Sequence, residues 1–259
     1  MELENQVAVV TGAGRGIGHA VALELAGLGA DIVVTDLNGE AAEDTAAQVT
    51  ATGRRALALA TDVTSAADRK AMVDQTVAAF GRIDVLVNNA GIYREFEPLE
   101  TSEDDWDHVL DVNAKAVFFC AQAVLPTMLA TGGGAIVNVS SITGKGGSPH
   151  SIPYGVSKAA VISLTQSLAK AYAGQSIRVN CVCPGFVDTE MWATIDREVG
   201  VEGMGKQPGE LWQELTATIP LGRAAQPTDV ARVIGFLASA RSGYMTGQSL
   251  NVTGGLITH

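Results

Sequence analysis

The sequence predicts an α/β fold: a single doubly wound, Rossmann-type domain with a seven-stranded parallel sheet flanked by helices. Three observations support this prediction. Short β-rich runs alternate with longer helical patterns along the chain, which is typical of a parallel sheet covered on both faces. The short runs are apolar almost throughout, as strands buried on both faces require. A glycine-rich turn joins the first run to the first helical pattern, as at the start of doubly wound domains.

The strands are expected at residues 7–11, 31–35, 56–60, 83–88, 135–139, 177–182 and 249–252. Their sequences are, in order, VAVVT, DIVVT, ALALA, IDVLVN, AIVNV, IRVNCV and SLNV, all short and mostly apolar. Helices are expected between them at residues 17–28, 40–52, 66–80, 102–129, 153–173 and 227–238. No linker or shift of composition divides the chain, so residues 1–259 are predicted to form one domain.

Residues 186–220 interrupt this alternation, because they contain Gly, Met, Trp and Glu in a weak helical pattern. An insertion of this length between a strand and a helix is usually functional, and doubly wound folds bind ligands at the carboxyl ends of their strands. The segment is therefore predicted to be a substrate loop. The alternative is a mobile surface loop.

Composition excludes several classes of protein. Hydrophobic residues make up 47% and charged residues 17% of the chain, which excludes a disordered protein. The net charge of −11 and the lack of basic runs speak against nucleic acid or an anionic membrane as partner. The chain begins without a signal-peptide pattern, and its three cysteines lie in apolar contexts. A cytoplasmic enzyme is expected, without a metal, although Cys181-x-Cys183 could also be interpreted as a metal pair.

The glycine-rich turn predicts a dinucleotide site. It runs from Thr11 into the first helix and contains the residues expected at the phosphates, Gly12, Arg15, Gly16, Ile17 and Gly18. Glycines let the backbone turn tightly and approach a pyrophosphate, and the following helix offers unpaired N–H groups and a partial positive charge.

Asp36 ends the second strand, 18 residues beyond Gly18. A carboxylate there accepts both adenosine ribose hydroxyls and repels a 2′-phosphate. Arg15 complicates this, since a basic residue in the turn can favour NADP, but Leu37 supplies no second cation. NAD is therefore the expected cofactor.

Tyr154 and Lys158 are spaced i, i+4 at the start of a helical pattern, so their side chains share one face. A nearby ammonium favours the phenolate of a tyrosine. The pair can take a proton from an alcohol, or return one to an alkoxide, near neutral pH.

These motifs occur together and in the order typical of one family. The chain resembles the short-chain dehydrogenase/reductase family over nearly its full length, on Thr11-Gly12-x-x-x-Gly16-Ile17-Gly18, Asp62-Val63, Asn88-Asn89-Ala90-Gly91, Asn113, Ser140-Ser141, Tyr154-x-x-x-Lys158, Arg178-Val179-Asn180 and Pro184-Gly185. The resemblance implies an NAD-dependent oxidoreductase that acts on CH–OH groups of a small alcohol or ketone. It also implies a homotetramer.

The resemblance assigns four catalytic residues. Tyr154 is implied as the general acid/base, and Ser141, thirteen positions before it, as the group that polarises the substrate oxygen. Lys158 lowers the pKa of the tyrosine and holds the nicotinamide ribose, and Asn113 holds a water on a proton path. Asn113 could instead cap or kink its helix, and Ser141 could simply satisfy the backbone.

The resemblance also extends the cofactor site. The implied contacts, besides the turn, Asp36, Leu37, Tyr154 and Lys158, are Asp62 and Val63 beside the adenine, Asn89, Ala90 and Gly91 along the adenosine side, and Pro184, Gly185, Val187 and Thr189 at the nicotinamide carboxamide. Asn88 is expected to tie strands together rather than to contact the ligand.

Substrate identity rests on the loop. Residues 190–197 resemble the substrate loop of butanediol (acetoin) dehydrogenases, and the long loop also resembles that of sorbitol and other polyol dehydrogenases. Two departures are Ile142, where those branches tend to carry Gln, and Thr253, where Asp is usual. The implied substrate residues are Ile142, His150, Phe186, Met191 and Trp192, although a plain loop histidine is the favoured interpretation of His150. A diol or polyol dehydrogenase is the first hypothesis, a 3-oxoacyl-thioester or other keto-group reductase the second, and a non-catalytic NAD-binding sensor the third.

Overall fold

The computed structural model of the protein describes residues 1–95 and 97–259. Its centre is a sheet of seven strands, all parallel to their neighbours, in the order β3-β2-β1-β4-β5-β6-β7. The strands are β1 (Val7–Thr11), β2 (Asp31–Asp36), β3 (Ala56–Ala60), β4 (Val85–Asn88), β5 (Gly134–Val139), β6 (Ile177–Pro184) and β7 (Ser249–Val252). The order reverses between β1 and β4, where doubly wound folds form their binding crevice. The predicted fold class is confirmed.

The helices are α1 (Gly16–Gly27), α2 (Gly39–Ala51), α3 (Ala66–Phe80), α4 (Glu103–Leu110), α5 (Ala116–Ala130), α6 (Thr143–Gly146), α7 (Ile152–Tyr172), α8 (Glu190–Ile195), α9 (Glu210–Ala217) and α10 (Pro227–Ala238). Two π-helical turns, Asp111–Lys115 and Asp196–Gly203, follow α4 and α8 directly, and two 3-10 turns occur at Ala173–Gln175 and Ala240–Ser242.

Two apolar cores cover the two faces of the sheet. Side chains alternate between faces along a strand, so Ala8 and Val10 of β1 enter one core while Val7 and Val9 enter the other. The first core is completed by α1, α2 and α10, and the second by α3, α5 and α7. Burial of the strands on both faces explains why their sequences show no polar alternation.

Most predicted bounds differ from the structure by one or two residues, and three differences are larger or bear on the site. The helix expected at 102–129 is divided by the π-helical turn Asp111–Lys115, which carries Asn113. The fourth strand begins at Val85 rather than at residue 83, because the preceding Asp84 turns its carboxylate to accept a hydrogen bond from the amide of Val7 at 2.8 Å. The segment 186–220 is not an irregular loop, since it contains α8, a π-helical turn and α9.

A buried chain of side-chain amides crosses the sheet. Asn88 and Asn138 are register partners on β4 and β5, and the Asn88 amide donates to Asn138 Oδ1 at 2.9 Å. Asn138 donates in turn to the Thr165 hydroxyl of α7 at 2.9 Å. The expected role of Asn88 in tying strands together agrees with these contacts.

The stretch Glu103–Ala130 is long and apolar enough to cross a membrane by length and composition alone. Half of its most apolar part is buried inside the protein, where α5 packs in the second core. This burial accounts for the apolar composition of the stretch.

Candidate active site

The glycine-rich turn lies at the carboxyl end of β1, against the loop that follows β4. Gly12 has φ +61° and Gly16 has φ +58°, a left-handed conformation that side chains disfavour. A Cβ on Gly12 would lie 2.7 Å from Ala90 Cα, and one on Gly18 would lie 2.2 Å from the Gly12 carbonyl oxygen. Only glycine fits at these places, and the turn delivers the amino end of α1 to the crevice.

The loop after β4 supports this turn with hydrogen bonds. The Thr11 hydroxyl accepts from the amides of Asn89 and Ala90, both at 3.1 Å. The Asn89 side chain donates to the carbonyl of Gly12 at 2.8 Å. Asn89, expected along the adenosine side, therefore uses its amide group to fix the shape of the turn.

Asp36 stands at the carboxyl end of β2, beside the turn. Its Oδ2 accepts from the Gly14 amide at 2.9 Å and its Oδ1 from the Asn38 amide at 3.0 Å. Both oxygens are thus held in place at the position expected for the adenosine ribose. Leu37 is 77% exposed and brings no charge.

The Arg15 guanidinium does not point to Asp36. It donates to Glu190 Oε2 at 2.8 Å, so the turn is ion-paired with the first residue of α8. On the adenine side, the Asp62 carboxylate accepts from the amide and hydroxyl of Thr64, and the neighbouring Val63 is buried.

Tyr154 and Lys158 lie one turn apart on α7, as their spacing predicts. Lys158 is buried, donates from Nζ to the Val139 carbonyl at 3.1 Å, and places Nζ 5.5 Å from the centroid of the Tyr154 ring. A Cβ on Gly91 would lie 3.3 Å from Lys158 Nζ and 3.1 Å from Asn113 Oδ1. The lysine, Gly91 and Asn113 are therefore brought together.

The expected pKa of the tyrosine needs correction. Burial raises the pKa of Tyr154 to about 12, although hydrogen bonding with the Ser141 hydroxyl opposes the rise. Burial also lowers the pKa of Lys158 to about 8. Desolvation therefore outweighs the stabilising effect of the nearby ammonium on the phenolate, so that the pKa of the phenol is raised rather than lowered.

The two consecutive serines at the end of β5 have different roles. Ser140 is buried and donates to the carbonyl of Lys158 at 2.8 Å. The Ser141 hydroxyl accepts from the amide and hydroxyl of Thr143 at 3.2 and 3.0 Å and lies near enough to the Tyr154 hydroxyl to affect its pKa. Ser141, the serine that the family resemblance indicates, is the one beside the phenol.

Asn113 is fully buried in the π-helical turn that divides α4 from α5. Its Oδ1 accepts from the Ile92 amide at 2.8 Å, and its Nδ2 donates to the Ile92 carbonyl at 2.9 Å. Nδ2 also lies 3.2 Å from the Ser157 hydroxyl. Asn113 thus ties the kinked helix to the loop after β4 and to α7, which fits the alternative of a structural kink and leaves the proton path a prediction.

The segment after β6, residues 186–220, contacts the glycine-rich turn and is called the lid here. Its base is held by the Ile142 amide, which donates to the Pro184 carbonyl at 3.0 Å, and by the Gly185 amide, which donates to the Val252 carbonyl at 3.0 Å. A bridge between Val187 and Ala225 continues this support. A Cβ on Gly16 would lie 3.6 Å from Thr189 Cγ2, so the start of the lid rests on the glycine-rich turn.

Three aromatic rings pack inside the lid. The ring centroids of Phe186 and Trp192 are 5.1 Å apart, and those of Trp192 and Trp212 are 5.3 Å apart. Met191 is partly exposed. Asp196 accepts from the amides of Gly209 and Trp212 at 2.6 and 3.2 Å, which fixes the start of α9.

Sequence reasoning missed Tyr93 and Glu95. The Tyr93 ring packs edge-on against Tyr154 with centroids 5.1 Å apart, and its hydroxyl donates to Glu95 Oε2 at 3.3 Å. His150 Nδ1 lies 3.9 Å from Glu95 Oε1. The available signal was their position directly after Asn88-Asn89-Ala90-Gly91, where a strand ends in the crevice.

The cysteines carry no sign of a metal site. Cys120, Cys181 and Cys183 are buried free thiols, and no group of three metal-ligating side chains occurs among residues 1–95 and 97–259. The two thiols on β6 fit the interpretation of buried core residues better than that of a metal pair.

The comparisons agree with this geometry. A family model described as Enoyl-(Acyl carrier protein) reductase matches residues 12–257. The 3-oxoacyl-(acyl-carrier-protein) reductase FabG of Staphylococcus aureus (strain Mu50) is 40% identical over 96% of this chain and 97% of its own length. The FabG of Thermotoga maritima is 40% identical over 99% and 100%, respectively.

Two further proteins broaden the comparison. The BbsD subunit of a hydroxy(phenyl)methylsuccinyl-CoA dehydrogenase from Thauera aromatica is 39% identical over 98% of both chains. The crystal structure of a Sinorhizobium meliloti 1021 protein, assigned as a short-chain alcohol dehydrogenase, superposes with a TM-score of 0.90 at 37% identity. That alignment covers 98% of this chain and 97% of the other.

Proposed function

The chain belongs to the short-chain dehydrogenase/reductase family of oxidoreductases, and from that premise we propose that it uses NAD(H) to interconvert a secondary alcohol and its ketone. The observation that carries the proposal is the meeting of Tyr154, Ser141 and Lys158 at the carboxyl end of the sheet. They stand beside a loop that also supports the glycine-rich turn. A cytoplasmic location is part of the proposal, supported by the three free thiols.

The residues of the crevice fit a nicotinamide dinucleotide. The glycine-rich turn leaves a cradle that a Cβ would fill, and the amino end of α1 faces it. Asp36 holds two oxygens ready for the ribose hydroxyls and repels a 2′-phosphate, which favours NAD. Thr189 and Pro184, at the other end, are proposed to hold the carboxamide.

When bound, the cofactor would supply a nicotinamide ring able to accept a hydride from an alcohol carbon or to return one to a carbonyl carbon. Tyr154 takes the hydroxyl proton in oxidation and gives it back in reduction. Ser141 donates a hydrogen bond to the substrate oxygen and holds it beside the phenol. Lys158, supported by the carbonyl of Val139, places its positive charge near the ring and stabilises the phenolate when it forms.

We favour a 3-oxoacyl thioester as the substrate. The names of the FabG relatives and of the Thauera relative describe oxygenated acyl groups on a carrier protein or on coenzyme A. These relatives support the second of the hypotheses drawn from the sequence over the first. The likeness of residues 190–197 to butanediol and polyol dehydrogenases is local, whereas the alignments to the reductases span nearly the whole chain.

One observation favours a compact diol or polyol as the second candidate. Glu95, Tyr93 and His150 form a polar group beside the phenol of Tyr154. A carboxylate at this place can accept a hydrogen bond from a second substrate hydroxyl. Ile142 and Phe186 would supply the apolar wall of such a pocket, with Met191 and Trp192 above it.

The test is a panel of substrates followed by NADH absorbance. We expect acetoacetyl-CoA to be reduced with NADH, and butane-2,3-diol and hexitols to be oxidised poorly. Turnover of the diols alone would favour the second candidate, whereas turnover of a 2-enoyl thioester alone would contradict both. The cofactor is tested in the same assay: a kcat/KM with NADPH equal to or above that with NADH would mean that Asp36 does not decide the choice.

A further inference from the structure

The ion pair between Arg15 and Glu190 joins the two walls of the cofactor crevice. Arg15 belongs to the glycine-rich turn and Glu190 begins α8 in the lid, and the two side chains meet at 2.8 Å. They are 76% and 74% exposed, so the pair contributes little to folding. Its effect is on the direction in which the Arg15 guanidinium points.

The direction of the Arg15 guanidinium matters because the Asp36 carboxylate lies on the ribose side of the turn. The amide of Gly14, next to Arg15 in the chain, already contacts the Asp36 carboxylate. A guanidinium turned toward Asp36 would neutralise the carboxylate and could receive a 2′-phosphate, because guanidinium groups bind phosphate with two parallel hydrogen bonds. Leu37 offers no cation of its own, so Arg15 is the basic residue of this turn that could reverse the preference.

The lid end of the pair is well placed to prevent this. Glu190 follows Thr189, whose methyl group lies against the position of a Cβ on Gly16. The start of α8 is therefore held directly over the turn, where the Glu190 carboxylate pairs with the guanidinium.

We propose that Glu190 is a positioning residue for cofactor choice: it holds Arg15 away from the adenosine 2′ position, so that Asp36 alone faces the ribose. The inference rests on the proposed function only in taking the turn to bind a dinucleotide. Glu190 does not contact the ribose and acts through Arg15.

The experiment measures binding of two fragments, 5′-AMP and 2′,5′-ADP, by calorimetry at low ionic strength, without turnover. In Glu190→Gln, we expect the Kd for 2′,5′-ADP to fall by about two- to fivefold, the range that one exposed ion pair supports, while the Kd for 5′-AMP stays unchanged. In Arg15→Gln/Glu190→Gln the gain should disappear, because the cation that receives the phosphate is gone.

A matched control separates this effect from the loss of one negative charge in the lid. Glu198 lies in the same lid and pairs with Arg197 at 3.2 Å, so Glu198→Gln makes the same charge change at a different place and should leave both Kd values unchanged. A gain that persists in the double variant, a gain equal for both fragments, or no gain in Glu190→Gln would overturn the inference. Failure of the parent to bind 5′-AMP would instead overturn the proposed dinucleotide site.

Discussion

Lys158 is an ionisable side chain that is almost fully buried. Its pKa therefore affects the stability of the fold as well as the proposed reaction. Burial lowers its pKa from 10.5 to about 8. Between pH 8 and 10.5 the folded chain therefore binds fewer protons at this site than the unfolded chain does. The free energy of unfolding therefore increases as the pH rises through this window. Below pH 8 Lys158 is charged in both states, and the burial of its charge destabilises the fold by the full amount.

We expect Lys158→Met to raise the free energy of unfolding at pH 7. The pKa shift corresponds to about 3 kcal/mol, and loss of the hydrogen bond to Val139 removes about 1 kcal/mol of that gain. Urea unfolding at pH 7 and at pH 10 measures it, and the advantage of the variant should shrink at the higher pH. A variant less stable than the parent at pH 7 would contradict this account of the site.

Tyr154→Phe tests the proton transfer. The variant keeps the ring packed against Tyr93 but has no hydroxyl, so turnover should fall by about 100-fold or more while 5′-AMP binding and the circular dichroism spectrum are retained.

The pH dependence of the parent tests the same proton transfer. In the parent, a Tyr154 pKa raised to about 12 leaves the base form scarce at neutral pH. Alcohol oxidation should therefore accelerate from pH 7 to 10, whereas ketone reduction, which needs the protonated phenol, should not. Substantial activity in the phenylalanine variant would show that another group is the base.

Trp192→Ala tests the lid. The indole packs between Phe186 and Trp212, so its removal loosens the apolar roof of the proposed pocket without touching the turn. We expect KM for the substrate to rise several-fold and the Kd for 5′-AMP to stay the same, measured by steady-state kinetics and calorimetry. Met204→Ala, an exposed lid residue outside the aromatic group, is the control and should change neither constant. An unchanged KM in the tryptophan variant would remove Trp192 from the substrate site.

At the scale of elements, the sequence predicts what local patterns encode. The strands were found because Val, Ile and Ala runs mark buried parallel strands, and the bounds of β1, β3 and β7 match. The kink at Asp111–Lys115 is only an alternative in the sequence, because the hydrogen bonds between Asn113 and the distant Ile92 that accompany it cannot be read from a local pattern. Helix α9 was missed for the same reason, since Asp196 fixes its start from thirteen residues away. Tyr93 was overlooked because only the folded chain brings it against Tyr154.

At the scale of the whole molecule, an apolar surface predicts assembly. Trp106 on α4 and Ile152 and Val156 on α7 are partly exposed, beside a cleft of about 530 Å³ that Pro98 and Pro153 also line. Exposed patches of this kind mark contact surfaces. We expect light scattering to give a tetramer, four times the chain mass of 26.8 kDa, and Trp106→Glu to give a smaller species. A monomer at micromolar concentration would contradict this prediction.

The paired amides of Asn88 and Asn138 also bear on how the chain avoids a misaligned sheet. Around them, β4 and β5 present Val, Leu, Ile and Ala to each other, and a strand buried on both faces lacks the inside–outside alternation that usually fixes alignment. If β5 slid by one residue, each amide would lose its partner in the dry interior, at about 1–3 kcal/mol apiece. Ser141 lies three residues beyond Asn138 and would shift with it away from Tyr154. The hydrogen bond between the two side chains therefore favours the observed register of β4 and β5. A shift of this register by one residue would reduce both the stability of the fold and the catalytic geometry.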